Sequence, residues 1–233
     1  MDVIRRFHVE LEHEVPVAPP AAAAVFGDRL PIAVAYCAAL ATDGVVRGLI
    51  GPREVPRLWE RHILNCAVLS ELIADDESLA DIGSGAGLPG IPVAIARPAI
   101  AITLIEPLQR RAQFLEEFCD EHLPSVTVLR GRAEEKSVIR EVAGIDIVTS
   151  RAVSGLPKLV PWSAPLLRDG GRLLAIKGSR AADEIAEHRA LFGRAGLVDP
   201  EVVMCGAGVV DPETTVVRAV KRGASAKAAR RRR

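Results

Sequence analysis

The chain lacks the marks of several protein classes. Its four cysteines (Cys37, Cys66, Cys119, Cys205) are scattered, with no Cys-x-x-Cys pair. That excludes a disulfide framework and fits reduced thiols in the cytoplasm. No run of His, Cys, Asp and Glu has ligand spacing, so no metal is expected. No apolar run approaches the ~18–20 residues that cross a bilayer, so no membrane span or membrane partner is expected. Arg5, Arg6 and the apolar stretch 21–26 resemble a secretory signal, but Glu10, Glu12 and Glu14 intervene and Pro16, Pro19 and Pro20 interrupt it. Net charge is also missing, at 30 basic against 30 acidic residues. That balance hides an asymmetry. Eight basic residues and no acidic one fall in 218–233, ending in Arg230 to Arg233. A basic tail on an acidic body suits a polyanion partner, and equally a solvated tail with no role.

What is present is enough for one ordinary domain with a small appendage. The chain has 233 residues, 49% of them hydrophobic, which permits a sizeable core and excludes wholesale disorder. Residues 21–73 carry helical spacing, with Leu58, Ile63, Cys66, Ala67, Leu69 and Ile73 in phase. From Leu79 the pattern changes to alternation. Strands are expected at 79–82, 101–105, 126–129, 145–149, 172–176, 198–204 and 214–220. Helices are expected at 89–96, 108–122, 133–142, 156–167 and 180–192. This alternation predicts an α/β fold, a doubly wound and mostly parallel sheet with helices on both faces. The last two strands have no helix between them and should form an antiparallel pair at one edge. Ligands in such sheets bind beyond the carboxyl ends of the strands.

The strongest motif lies at the first such end, Asp81-Ile82-Gly83-Ser84-Gly85-Ala86-Gly87-Leu88-Pro89-Gly90. Gly85, Gly87 and Gly90 match the dinucleotide fingerprint GxGxxG. Gly83, Gly85 and Gly87 instead form GxGxG preceded by Asp81, which resembles S-adenosylmethionine-dependent methyltransferases. Gly83 follows the strand directly, as a turn-forming first glycine should, and in that register Leu88 occupies the third dinucleotide position. Asp81 would also repel a pyrophosphate and suit an ammonium group. A tight turn with no ligand is the plainer reading, and four glycines within eight residues weigh against it. Glu106, at the end of the second strand, suits ribose hydroxyls. The third strand is followed by Gly131-Arg132-Ala133-Glu134-Glu135, where methyltransferase folds commonly cup adenine.

The acceptor is less marked. Thr149-Ser150-Arg151-Ala152-Val153 stands where amine methyltransferases carry an Asn/Asp-Pro-Pro-aromatic box. No cysteine falls at a strand end to act as the nucleophile that pyrimidine C5 methylation needs. The single tyrosine, Tyr36, lies among the N-terminal helices and gives no oxidoreductase dyad. His62, flanked by Arg61 and Asn65, is the one histidine with suggestive company. A sparse constellation fits an acceptor that needs no base, of which guanine N7 is one.

Taken together, Glu60-Arg61-His62-Ile63-Leu64, the glycine motif through Ile91-Pro92, Gly131 to Glu135, Ser150-Arg151-Ala152 and Leu174-Ala175-Ile176-Lys177-Gly178 closely resemble the small-subunit ribosomal RNA methyltransferase G family (glucose-inhibited division protein B), from about residue 57 to 185. The resemblance implies a Rossmann-like methyltransferase sheet of seven strands with an antiparallel edge strand. It implies a cytoplasmic, monomeric enzyme that uses S-adenosylmethionine to make N7-methylguanosine in 16S rRNA near the decoding centre, acting on the rRNA or the 30S subunit. Residues 1–75 would be a helical extension, 76–222 the catalytic domain and 223–233 a basic tail. Gly83, Leu88, Ala133, Glu134 and Arg151 would contact the cofactor, joined by Asp81, Gly85, Gly87 and Glu106 from the motif. Arg151 would also position the reactants. Pro107 stands where the family more often has Ser. His62, Arg110, Arg111, Arg132, Lys177 and Arg180 would face RNA, five of them just beyond strand ends. The alternatives are an enzyme acting on another RNA or a small molecule, a nicotinamide-dependent oxidoreductase, and a non-catalytic RNA-binding module.

Overall fold

A computed structural model describes residues 14–223; the Arg-rich tail and residues 1–13 lie outside the described residues. Seven strands form one sheet: β1 Ser78–Ile82, β2 Ala101–Ile105, β3 Thr127–Leu129, β4 Ile145–Arg151, β5 Leu167–Lys177, β6 Leu197–Cys205 and β7 Thr214–Lys221. Their order is β3-β2-β1-β4-β5-β7-β6. All run parallel except β7, which pairs antiparallel with both β5 and β6. The reversed strand therefore lies one place in from the edge, and β6 closes that edge.

Alternation along each strand divides the core. Ala80, Ile82, Val148, Leu173, Ala175 and Val217 point to one face. There they meet α6 Lys136–Val142, α7 Leu156–Ser163 and α8 Ala181–Ala195. Leu79, Ile147, Leu174 and Val216 point to the other face, beneath α4 Gly90–Ala96 and α5 Gln109–His122. In α5 the inward residues Ala112, Leu115, Phe118 and Cys119 recur at three- and four-residue spacing, which makes one apolar stripe. The helix α8 ends at Gly196, held at φ 76° in the left-handed conformation that a glycine adopts without strain.

The N-terminal segment covers that second face. It comprises α1 Pro20–Phe26, α2 Leu30–Ala39, tighter and wider helical turns at Gly27–Arg29, Leu40–Gly44, Pro52–Arg57, Leu58–Leu64 and Val68–Leu72, and the short α3 Asn65–Ala67. Phe26, Tyr36, Leu40, Leu58, Ile63 and Leu69 share one core with Leu79, Ile95, Leu104 and Phe114. Each such side chain contributes about 1.5–3 kcal/mol on burial, so the extension and the sheet are bound by a common interior.

The expectation that no apolar segment reaches bilayer length needs correction. Helical geometry continues from Pro20 to Gly44, 25 residues that include an 18-residue window with a mean hydropathy of 1.4, long and apolar enough by length and composition. Asp28, Arg29 and Pro31 break the apolar run in sequence without ending the helical path. Its inner side, from Ala22 to Leu40, is committed to the domain core.

Candidate cofactor and RNA site

A cavity of about 530 Å³ opens at the carboxyl ends of β1, β2 and β4. The glycine loop forms its floor. Gly83 leaves β1 at φ 67°, and the N–H groups of Gly83 and Ser84 both donate to Ile105 O, at 2.8 and 3.1 Å. The loop is thus hooked onto the end of β2. The four glycines have different reasons to be glycine. A Cβ on Gly83 would lie 2.3 Å from Val153 Cγ2, one on Gly87 2.4 Å from Ile91 Cδ1, and one on Gly90 2.3 Å from Leu104 Cδ2. A Cβ on Gly85 would meet nothing nearer than 3.7 Å, and Gly85 lines the cavity. Three glycines serve packing; Gly85 leaves room for a ligand.

Asp81 lies behind the loop. It is fully buried and absent from the cavity wall; its Oδ2 accepts from Ser84 Oγ at 2.6 Å and Gly90 N at 3.0 Å. Burial raises its pKa to about 7 against the lowering effect of those two donors. Its Oδ1 is buried with no partner among the described residues. In this structure Asp81 shapes the loop. Tyr36 assists from the extension, donating to Ala86 O at 2.8 Å.

Glu106 is 1% exposed and sits in the cavity wall. One carboxylate oxygen accepts from Gly85 N and the other from Leu108 N, both at 2.9 Å. Each oxygen keeps a second lone pair for a further donor. Leu88, Pro107, Leu108, Arg111 and Arg132 complete that side. Ala133 is buried against the opposite core and Glu134 is exposed, and neither lines the cavity.

Arg151 ends β4 and closes the cavity toward the extension. Its Nη2 donates to Arg61 O at 2.8 Å and contacts His62 Nδ1 at 3.1 Å; its Nη1 donates to Cys66 Sγ at 3.1 Å and His62 O at 3.4 Å. Ala152 follows at φ 54°, a left-handed turn that costs a non-glycine residue of order 1–3 kcal/mol. The fold thus brings Cys66 to the site, contrary to its remoteness in sequence. Burial raises its pKa despite Arg151, which keeps it a thiol. His62 is 9% exposed, and its Nε2 lies 2.8 Å from Glu54 Oε2. Burial and then Arg151 hold its pKa below the usual 6.5 against Glu54.

The basic residues take different parts. Arg111 and Arg132 face the cavity, while Arg110 and Arg180 are exposed. Lys177 is mostly buried, with Nζ 3.1 Å from both Glu184 Oε1 and Ser154 O. It lines a second cavity of about 630 Å³, beyond Arg61, with Arg57, Glu60, Asn65, Asp211 and Glu213. No group of three metal-ligating side chains occurs among the described residues.

Sequence reasoning missed Tyr36, Leu49, Ile50 and Glu54, all from the extension. Leu49 and Ile50 line the cavity because their N–H groups turn back onto Gly44 O and Arg47 pairs with Glu117 on α5. No motif marks these residues; only the fold places them.

The family model described as rRNA small subunit methyltransferase G matches residues 29–214. The chain is 56% identical over 216 residues to a "Ribosomal RNA small subunit methyltransferase G" of Rhodococcus jostii, covering 91% of this chain and 95% of that protein. A protein of the same name from Mycolicibacterium smegmatis is 58% identical over 210 residues, with 90% and 89% covered. Among solved structures, a predicted O-methyltransferase from Agrobacterium tumefaciens superposes with TM-score 0.53 at 23% identity, over 67% of this chain and 80% of that one. Aeropyrum pernix fibrillarin with natively bound S-adenosyl-L-methionine gives TM-score 0.52 at 19% identity, over 69% and 75%. These two likenesses concern the fold.

Proposed function

The chain belongs to the rRNA small subunit methyltransferase G family, and on that premise we propose that it methylates guanine N7 in the 16S rRNA of the small ribosomal subunit, with S-adenosylmethionine as donor, in the cytoplasm where that RNA is found. The observation that carries the cofactor assignment is the cavity above Gly85. Its ~530 Å³ is within the usual ~300–1,000 Å³ of small-molecule sites. Its one open glycine permits close backbone approach, and the Glu106 carboxylate in its wall is suited to ribose hydroxyls.

When bound, the cofactor supplies an electrophilic methyl on a sulfonium. Guanine N7 has a free lone pair and no proton to lose, so no residue need act as a base. The work left to the protein is alignment, which can supply ~7–11 kcal/mol. Glu106 and the Gly83–Leu88 turn would hold the cofactor, and Arg151 would fix the wall against which the acceptor docks. Arg110, Arg132 and Arg180 would take phosphates or stack on unpaired bases. Lys177, already paired with Glu184, would contribute less charge to RNA than its strand-end position suggests. Ala133 and Glu134 would act through the turn that carries Arg132.

The test is methylation of 30S subunits from a strain lacking the enzyme, with the product nucleoside identified by mass spectrometry. N7-methylguanosine is expected. Another methylated nucleoside would overturn the acceptor, and thermal stabilisation by NAD but not by S-adenosylmethionine would overturn the cofactor.

A further inference from the structure

We propose that Glu54 is a positioning residue for methyl transfer: it fixes one tautomer of His62, and His62 thereby holds Arg151 in the wall of the cofactor cavity. The inference rests on the methyltransferase reading above, though its first readout needs no RNA.

A guanidinium has no lone pair to offer, so a nitrogen in contact with it must be an acceptor. His62 Nδ1, 3.1 Å from Arg151 Nη2, is that acceptor. The ring is therefore neutral, its proton sits on Nε2, and Nε2–H donates to Glu54 Oε2 at 2.8 Å. Three charged groups face the imidazole. Glu54 comes from the turn Pro52–Arg57, Arg61 from the ring's own turn, and Arg151 from β4. Arg61 Nε also approaches Glu54 Oε2, at 3.4 Å, which helps keep that carboxylate in place. Both ring nitrogens are thus engaged within the protein, and His62 has none left to take a proton from a substrate. A ring protonated on Nδ1, or carrying its one proton there, would turn an N–H toward Arg151 and break the contact. Arg151 would then lose part of its hold on the segment that also delivers Leu49 and Ile50 to the cavity.

The experiment compares the full chain with Glu54→Ala, Glu54→Gln and His62→Gln. Histidine tautomers are read by ¹⁵N NMR, and single-turnover methyl transfer to 30S subunits is followed from pH 5.5 to 8.5, with melting curves confirming folding. The wild type should show the Nε2–H tautomer and a rate that is flat above about pH 6.5, the reference histidine value, and falls in acid. Glu54→Gln should keep the tautomer, because Gln Oε1 accepts from Nε2–H, and should move the acid limb to lower pH because the carboxylate no longer supports a protonated ring. Glu54→Ala should populate Nδ1–H and lose roughly tenfold in rate, the scale of one hydrogen bond to a charged group. His62→Gln should be slower than wild type yet active, and should lose the acid limb, since its amide oxygen can still accept from Arg151 and does not titrate. An Nδ1–H tautomer in the wild type would overturn the proposal. So would Glu54→Ala with unchanged tautomer and rate, or a His62→Gln variant that folds but is inactive, which would mark a base. Should the wild type methylate no RNA, the function reading fails while the tautomer spectra still decide the Glu54–His62–Arg151 link.

Discussion

Replacing Gly85 by valine separates a glycine required by a ligand from glycines required by packing. Gly85 has φ 61°, a conformation that costs an L-residue roughly 1–2 kcal/mol and a β-branched one more. The protein itself leaves space, with Gly83 O at 3.7 Å and Arg111 Nη1 at 4.0 Å from the added Cβ. The expected loss is therefore about 2 kcal/mol, or roughly 4–8 °C in Tm for a chain of this size. The two γ-methyls would stand in the cavity where the cofactor approaches the backbone. Wild type with cofactor at 100 times its Kd should gain ~2.7 kcal/mol, roughly 5–11 °C, and the variant should gain nothing. Gly90→Ala is the control. Its Cβ would be 2.3 Å from Leu104 Cδ2 and 2.9 Å from Asp81 Oδ2. It should cost more stability than Gly85→Val although Gly90 does not line the cavity. Differential scanning fluorimetry and calorimetry with S-adenosylmethionine decide the matter. A folded Gly85→Val protein with wild-type affinity would refute the register and the assignment of the cavity.

Glu106→Ala should remove both backbone hydrogen bonds that tie Gly85 to Leu108. Calorimetry should find cofactor binding lost, and melting should report roughly 3 kcal/mol of destabilisation. Asp146→Asn tests an acid-side term: burial raises the Asp146 pKa, but Ser78 and Arg168 outweigh it and hold it at about 2. A depressed carboxylate stabilises above its unfolded pKa near 3.9 and loses that contribution as pH falls toward 2. The variant should lose about 2 kcal/mol at pH 7, and in denaturant titrations the difference should shrink as pH falls through 2 and vanish only about a unit below it. Lys177→Ala should change the salt slope of rRNA binding less than Arg132→Ala does, because Lys177 is neutralised by Glu184. Deleting residues 223–233 should leave cofactor affinity intact and slow association with 30S subunits at low salt in stopped-flow measurements.

Much of this site was legible because its determinants are local. The expected strands β1, β2 and β4 coincide with those found to within two residues at each end, since apolar runs bounded by turn residues carry their own signal. The register of Gly83, Gly85 and Gly87 depended only on where β1 stops, and Glu106 only on where β2 stops. The strand ends also placed Arg111, Arg132 and Arg151 around one opening. Residue type alone could not tell which atoms face that opening. Asp81 alternates with Ala80 and Ile82 and so turns into the core beneath the extension, where Ser84 and Gly90 take one oxygen. A charge at a strand end looks the same in sequence whether it faces ligand or loop.

The extension was opaque for a different reason. Its contacts with the site span 50 residues from Tyr36 to Ala86 and 89 from His62 to Arg151, and no periodicity encodes such distances. Its helical turns change pitch repeatedly, so Leu49, Ile50 and Glu54 fall in segments whose pattern reads only as a helical appendage. Yet the same interior that joins it to β1 and α4 makes those contacts obligatory. Once Phe26, Tyr36, Leu40 and Ile63 are buried on the sheet, the chain between them must pass over the glycine loop. The cavity thus has a wall that no strand-end motif could have announced, and Arg151, assigned from sequence to the ligand, is also what binds that wall to the sheet.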